Sequence, residues 1–213
     1  MAGSKSLLVE GVDDKHVILA LQGTFSPRVL DKTQIHDLEG YPNLLRRLPR
    51  EIQASEGGAV GAVLDADINL AHRWSGIRQM LEGKGYRNVP HAPTPAGTIV
   101  TPPLDTLLPK VGIWLMPDNS TSGILEDFLK FLVPEGDTLL AFASETINQL
   151  PEKSSADKFF ADKDRPKALM HTWLAWQAKP GTPFGQAITA SFLDANAAQA
   201  DVFVKWLQEL FAD

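Results

Sequence analysis

The feature that most restricts the fold is an unbroken apolar run at residues 59–64, which ends in Asp65-Ala66-Asp67. A strand without polar residues is typical of a parallel sheet covered on both faces, because a strand with one face in water alternates apolar and polar side chains. Gly57 and Gly58 break the chain before this run, and helical periodicity follows it at 70–82. The segment therefore predicts a buried parallel strand that leads into a helix.

The same alternation recurs through the first 136 residues. Further strands are predicted at 6–10, 34–38 and 111–116, with an edge strand at 98–101, and further helices at 12–22, 43–54 and 124–133. Alternating strands and helices form a mostly parallel sheet with right-handed crossovers. From about residue 137 only helices are indicated, at 138–150, 166–177, 184–193 and 197–211. We therefore expect an α/β fold, with a Rossmann-type sheet flanked by helices over residues 1–136 and a helical extension over 137–213 packed on this core.

Composition limits the functions that the chain can have. There is no cysteine, which excludes disulfides, thiolate zinc sites and a cysteine nucleophile. The formal net charge is −6, whereas a protein that holds nucleic acid by itself is usually basic. No secretory leader and no apolar run of about 20 residues is evident, so we expect a soluble, cytoplasmic protein without a membrane span.

Acidic residues stand at or just past the ends of predicted strands. They are Glu10, Asp65, Asp67 and Asp118. The carboxyl ends of parallel strands meet at one edge of a sheet, where ligands bind in such folds. Mg²⁺ prefers oxygen ligands, and a glutamate beside it could also activate water as a general base. The sequence therefore predicts a magnesium site at this edge, with solvated turn residues and helix caps as the alternative interpretation.

These residues carry a resemblance to a known family. An apolar strand that ends in Glu10-Gly11, followed later by Asp65-Ala66-Asp67, resembles the Toprim domain of topoisomerases, primases and the overcoming-lysogenization-defect (OLD) nucleases. The chain is more closely similar to a bacterial family of small Toprim-like proteins of unknown function. That likeness rests on residues 8–14, 64–67, 112–119, 123–129, 167–168 and 173–175.

The resemblance implies roles for three acidic residues in particular. Glu10 would be a metal ligand or a general acid/base, and Asp65 and Asp67 would bind Mg²⁺ or Mn²⁺, so that these three form the catalytic group. Nucleases of this type can use a second metal ion, which stabilises the attacking and leaving oxygens of phosphodiester cleavage.

Four more acidic residues are candidate metal ligands. Asp118, Glu126 and Asp127 could complete a second metal site, and Asp14 could contribute to either. Each also has a structural alternative: Asp14 and its neighbour Asp13 could cap the first helix, Asp127 could favour the start of its own helix, and Glu126 could be solvated. Both interpretations remain open from the residues alone.

A basic cluster precedes and enters the helix predicted at 166–177. Its members are Lys153, Lys158, Lys163, Arg165 and Lys167. We expect Lys163 and Lys167 to contact substrate phosphate if this helix packs beside the acidic edge of the sheet. Otherwise the cluster is a solvated helix flank.

The resemblance implies a metal-dependent nuclease or phosphodiester hydrolase. Because the chain is acidic, we expect weak nucleic-acid binding by the chain alone. The chain has no P-loop, and its resemblance to OLD-type systems, which join Toprim and ATPase modules, implies a separate ATPase as a possible partner. A non-catalytic Toprim-fold interaction module is the main alternative. A phosphatase of the haloacid-dehalogenase type, with Asp65 as nucleophile and Asp67 as acid/base, is a further one, although it leaves Glu10 without a role.

Overall fold

The computed structural model describes residues 3–150 and 159–212. Its strands are β1 (Lys5–Val9), β2 (Gln34–Asp37), β3 (Ala59–Asp65), β4 (Thr98–Val100) and β5 (Lys110–Met116). Its α-helices are α1 (Val12–Thr24), α2 (Tyr41–Ala54), α3 (Leu70–Gly83), α4 (Leu125–Lys130), α5 (Thr138–Asn148), α6 (Arg165–Ala175), α7 (Phe184–Thr189) and α8 (Ala198–Phe211).

The five strands form one sheet in the order β2-β1-β3-β5-β4. All neighbours are parallel except β4, which pairs antiparallel with β5 at the edge. The chain passes from β1 outward to β2, returns to β3 beside β1, and then builds the sheet on the other side. The direction of strand addition therefore reverses between β1 and β3, which makes this gap the topological switch point of the sheet.

The apolar strands are buried because helices cover both faces of the sheet. Helices α2 and α3 pack on one face together with alternate residues of β3 and β5. Helices α1, α4, α6, α7 and α8 pack on the other. Residues 59–64 are accordingly all buried, as the lack of polar residues in this run predicts.

Two glycines let α8 lie close to the central strands. The side chain of Leu210 packs over Gly61 and Gly112, which are register partners on β3 and β5. A Cβ atom at Gly112 would lie 2.5 Å from Leu210 Cδ2, and one at Gly61 would lie 3.0 Å from the same atom. The absence of side chains at these two positions is thus what permits the helix to approach the sheet.

The C-terminal helices share a hydrophobic core with the sheet. The ring of Trp114 on β5 lies 4.9 Å from that of Phe203 and 5.6 Å from that of Trp206, both on α8. The expected fold class, a mostly parallel α/β sheet flanked by helices with a C-terminal helical extension, is confirmed. The division of the chain at residue 136 into two domains stays a prediction.

Element ends differ most from the predictions at two helices. Helix α4 ends at Lys130 rather than at residue 133, because the backbone N–H groups of residues 131–133 bond to carbonyls three residues back, in turns, and not four residues back as in an α-helix. Helix α7 ends at Thr189 rather than at 193, and Ser191 shortly afterwards has a left-handed φ of 59° that stops helical continuation. Within the described residues, no helix is long and apolar enough to cross a membrane.

Candidate functional site

The switch point brings together two acidic residues from different strands. Glu10 follows β1, and Asp65 is the last residue of β3. The side-chain Oε2 atom of Glu10 accepts a hydrogen bond of 3.1 Å from the backbone N–H of Asp65. The backbone N–H of Leu125, at the start of α4, donates to Asp65 Oδ1 at 3.0 Å. Strands β1 and β3 and the start of α4 therefore position Glu10 and Asp65.

Asp14 and Glu126 join the pair to form a cluster of four carboxylates, here called the acidic cluster (Glu10, Asp14, Asp65 and Glu126). Asp14 lies in the first turn of α1 and Glu126 in the first turn of α4, and each is only 6% exposed. Asp14 Oδ2 accepts the backbone N–H of Gly11 at 3.0 Å, which is the predicted capping role. Its other oxygen, Oδ1, is buried without a hydrogen-bond partner among the described residues.

Burial and mutual repulsion disfavour the charged forms of these acids. The pKa of Asp65 is raised from 3.8 to about 8, first by burial and then by the charges of Asp14, Glu10 and Glu126. The pKa of Asp14 is raised from 3.8 to about 7, by burial and then by Glu10. Burial also raises the pKa of Glu126, with Lys167 and His171 acting in the opposite direction. Ionisation of these carboxyl groups is therefore energetically unfavourable in the folded protein, and a nearby cation would reduce that cost.

The donor set of the acidic cluster fits a hard divalent cation. It offers only oxygen ligands, and the unpartnered Oδ1 of Asp14 has a lone pair that no group of the described chain satisfies. Within residues 3–150 and 159–212, no group of three or more acidic or histidine side chains is already arranged to hold a metal ion. A cation held directly by three of these carboxylates would therefore require at least one of them to change rotamer.

Asp67, the second aspartate of the Asp-x-Asp motif, is held by a cation of the chain. Its exposed carboxylate forms an ion pair with the guanidinium of Arg73 on α3. That guanidinium also stacks on the ring of Tyr41, 3.4 Å from its centroid. The backbone N–H of Asp67 donates to the carbonyl of Gly123 at 2.9 Å. Arg73 and Tyr41 were missed by the sequence analysis, since nothing in their spacing links them to Asp67.

Two predicted metal ligands have clear structural roles. Asp127 caps α4 by accepting the backbone N–H of Ile124 at 3.0 Å, and it pairs with Lys130 at 2.6 Å. Asp118 closes the turn after β5, where its Oδ1 accepts the backbone N–H groups of Ser120 and Thr121. Asp127 nevertheless lines the cleft described next, whereas Asp118 does not.

An open cleft of about 570 Å³, here called the site cleft, extends from the acidic cluster to the start of α6. The acidic residues that line it are Glu10, Asp65, Asp67 and Asp127, together with Asp162 and Asp164 from the short turn before α6. Lys163 and Lys167 line the same cleft. Lys153 and Lys158, the other lysines of the predicted basic cluster, lie outside the described residues. The helix thus packs beside the acidic edge, which is the condition under which the sequence analysis expected Lys163 and Lys167 to meet a phosphate.

The fold and the site cleft define an α/β protein with a carboxylate cluster at the switch point of a parallel sheet, faced by lysines. The chain belongs to the family described as protein of unknown function (DUF3226), whose model matches residues 4–212. No curated protein and no solved structure gives a significant match to the chain. The family assignment agrees with the resemblance to a family of unknown function, and the relation to Toprim and OLD proteins belongs to the proposal that follows.

Proposed function

We propose that the site cleft is the active site of a Mg²⁺- or Mn²⁺-dependent phosphodiester hydrolase, a nuclease of the Toprim/OLD type. The observation that carries the proposal is the meeting of two opposite groups in one cleft. The carboxyl of Asp65, whose pKa is raised to about 8, lines this cleft, and so do Lys163 and Lys167. A substrate that contacts both groups must carry negative charge, which the lysines bind. It must also bind together with a cation, which neutralises the carboxylates. A phosphodiester with Mg²⁺ meets both conditions.

The residues divide the chemistry between them. Asp65, Asp14 and Glu126 would hold the cation with Glu10, and a bound Mg²⁺ supplies stabilisation of the negative charge that develops on the phosphoryl oxygens. Lys163 and Lys167 bind the phosphate.

Glu10 is the general base of the proposed hydrolysis. It accepts a proton from the attacking water as the new P–O bond forms. The bond to the leaving oxygen breaks, and that oxygen takes up a proton from solvent. Glu10 suits this role because it follows β1 directly and is held by the N–H of Asp65.

A partner ATPase is part of the proposal. The chain has a net charge of −6 and no P-loop, so neither strong nucleic-acid affinity nor ATP hydrolysis is expected from it alone. OLD-type systems combine Toprim and ATPase modules, which is the source of this element of the proposal. A separate ATPase would supply the nucleic-acid affinity that the chain lacks.

A non-catalytic interaction module is the second candidate, and two observations favour it. Asp67 is already neutralised by Arg73, and among the described residues no group of ligands is preformed for a metal. The haloacid-dehalogenase phosphatase has less support. A pKa of about 8 leaves Asp65 largely protonated at neutral pH without a cation, and Asp67 is engaged by Arg73 where that chemistry requires an acid/base.

Cleavage of supercoiled plasmid and of labelled single strands in Mg²⁺, Mn²⁺ or EDTA tests the proposal. We expect metal-dependent cleavage by the wild type and its loss in Asp65→Ala/Asp67→Ala. Asp105→Ala is the matched control, since it removes an exposed carboxylate far from the site cleft. Cleavage that persists in the double variant, or no cleavage by the wild type even with a partner ATPase, would reject the hydrolase and favour the interaction module.

A further inference from the structure

A second cleft lies beside the site cleft, at the junction of α5 and α6. This α5–α6 cleft has a volume of about 380 Å³ and shares Asp162 and Pro166 with the site cleft. The two clefts are therefore neighbours at the start of α6, and a ligand bound at Lys163 and Lys167 lies close to the α5–α6 cleft.

The α5–α6 cleft combines an apolar floor with cations at its rim. Ile147 from α5 is buried, and Leu169 and Pro166 from α6 are partly buried and line the same space. Lys130 and Arg165 are its cations; Lys130 pairs with Asp127, and Arg165 lies near Asp162, which also lines the cleft. This pairing of apolar surface and cations differs from the site cleft, where carboxylates dominate.

Arg165 is held in a defined position at the rim. Its guanidinium donates to Asn148 Oδ1 at 2.9 Å and lies 3.5 Å from the carboxylate of Asp162. It also lies over the ring of Phe160, 5.9 Å from the centroid. The side chain remains 45% exposed, so its charge is available to a ligand that enters the cleft.

We infer that the α5–α6 cleft holds one unpaired nucleotide of the substrate, next to the phosphate that is cleaved, so that the substrate class is single-stranded nucleic acid. The base lies on Ile147, Pro166 and Leu169, and the adjoining phosphate contacts Arg165 and Lys130. This inference rests on the proposed function, since it takes the phosphate at Lys163 and Lys167 as its starting point.

The preference for a single strand follows from the surfaces of a base that a protein can contact in single-stranded and in double-stranded nucleic acid. In a duplex the faces of each base are stacked on its neighbours, and only the base edges are offered to a protein in the grooves. An apolar floor can contact a base face only when the base is unstacked and unpaired. A cleft of this volume is also in the range that encloses a small-molecule-sized ligand rather than a length of double helix.

Fluorescence anisotropy measures this preference without any need for turnover. The probe is a labelled oligothymidylate of about ten nucleotides, compared with a duplex of the same length, at low salt in EDTA. We expect the single strand to bind the wild type at least about tenfold more tightly than the duplex does. A duplex that binds equally well or better would overturn the inference.

Two variants locate the binding in the α5–α6 cleft. Ser144→Trp fills the cleft from α5, and Arg165→Ala removes the cation at its rim; we expect each to weaken single-strand binding by about tenfold. Ser75→Trp, at an exposed position of α3 on the other face of the sheet, is the matched control and should bind as the wild type does. Circular dichroism confirms that all three variants fold. If Ser144→Trp binds like Ser75→Trp, the inference is wrong.

The two proposals fail in different ways. Cleavage that requires Asp65 and Asp67 but is unaffected by Ser144→Trp would reject the nucleotide site and leave the hydrolase standing. Single-strand binding that Ser144→Trp abolishes, without cleavage by the wild type in any metal, would reject hydrolysis and leave the nucleotide site standing.

Discussion

At the scale of single residues, the acidic cluster is organised by competition between burial and charge. Asp14 is nearly as buried as an apolar core residue, yet one of its oxygens has no partner among the described residues. An unpaired buried carboxylate is costly when it is ionised, so the folded protein without a cation holds protons that the unfolded chain releases. The cluster therefore couples protonation, cation binding and stability.

The first prediction concerns the pH dependence of stability without metal. The folded pKa values of about 7 for Asp14 and about 8 for Asp65 lie above the unfolded value of 3.8. The stability that these groups contribute is fully present below 3.8 and is lost as the pH rises through 7 and 8, because in that window the folded state binds more protons than the unfolded state. We expect the free energy of unfolding in EDTA to fall by on the order of a few kcal/mol between about pH 5 and pH 8.

Urea denaturation at both pH values checks this prediction. Asp14→Asn removes one of the two titrating groups and should flatten the pH dependence, whereas Asp105→Asn, an exposed control, should leave the slope unchanged. The prediction is wrong if Asp14→Asn and the wild type lose stability equally over this range.

The second prediction concerns addition of a cation at about pH 8. A ligand that binds only the folded state stabilises it by about 2.7 kcal/mol when present at 100 times its Kd, which raises the Tm of a chain of this size by several degrees. We expect Mg²⁺ to raise the Tm of the wild type in this way, and to raise that of Asp65→Asn much less. An equal shift in both proteins, or in neither, would contradict a cation site at the acidic cluster.

At the scale of secondary-structure elements, the position of α8 depends on the absence of a side chain at one position of β3 and one position of β5. Leu210 reaches the sheet only because Gly61 and Gly112 have no side chains. The same close approach brings Trp206 to Trp114 on β5 and closes the core on that face. A change at either glycine should therefore act through Leu210 rather than through the strand itself.

The third prediction tests this contact with a double-mutant cycle. Gly112→Ala should cost about 1–3 kcal/mol by overpacking, and Leu210→Ala about 2–5 kcal/mol by leaving a cavity. The double variant should lose clearly less than the sum, because the smaller side chain makes room for the added methyl group. Urea denaturation gives all three values.

Gly83→Ala is the control for the glycine substitution. A Cβ atom there meets nothing within 4 Å, so the change should be neutral or slightly stabilising. Strict additivity of the Gly112 and Leu210 variants would contradict the proposed packing constraint.

At the scale of the whole molecule, the site is assembled from distant parts of one chain. The site cleft takes residues from the ends of β1 and β3, from the start of α4 and from the start of α6. The last of these belongs to the helical extension, which shares the core beneath the sheet. Core and site therefore both depend on the extension.

The fourth prediction is that a fragment of residues 1–136 does not fold cooperatively. Removal of the extension exposes Trp114 and the apolar faces of α1 and β5, which α6, α7 and α8 cover in the full chain. We expect binding of a hydrophobic dye, loss of near-ultraviolet circular dichroism and no sharp urea transition. A cooperative transition in the fragment would instead support two separable domains.

Much of this organisation was predictable because its causes are local. Apolar runs and helical periodicity identify strands and helices within a few residues, and the lack of polar residues at 59–64 predicts coverage on both faces. The placement of Glu10 and Asp65 at one edge of the sheet follows from the rule that parallel strands share a carboxyl end. Asp14 and Lys167 could be proposed only as candidates, since each also had an ordinary role in its own helix.

The sequence by itself thus determined the elements, the parallel sheet and the edge at which its acidic residues gather, because these depend on residues close together in the chain. Only the tertiary structure decided which acids meet. It buries Asp14 and Glu126 beside Asp65, leaves Asp118 in a turn and pairs Asp67 with Arg73. It also brings Lys167 of α6, and Lys163 of the turn before α6, into the cleft that Asp65 lines. These outcomes depend on strand order and on how helices pack, and both arise from contacts between residues far apart in sequence, whose partners no local pattern specifies.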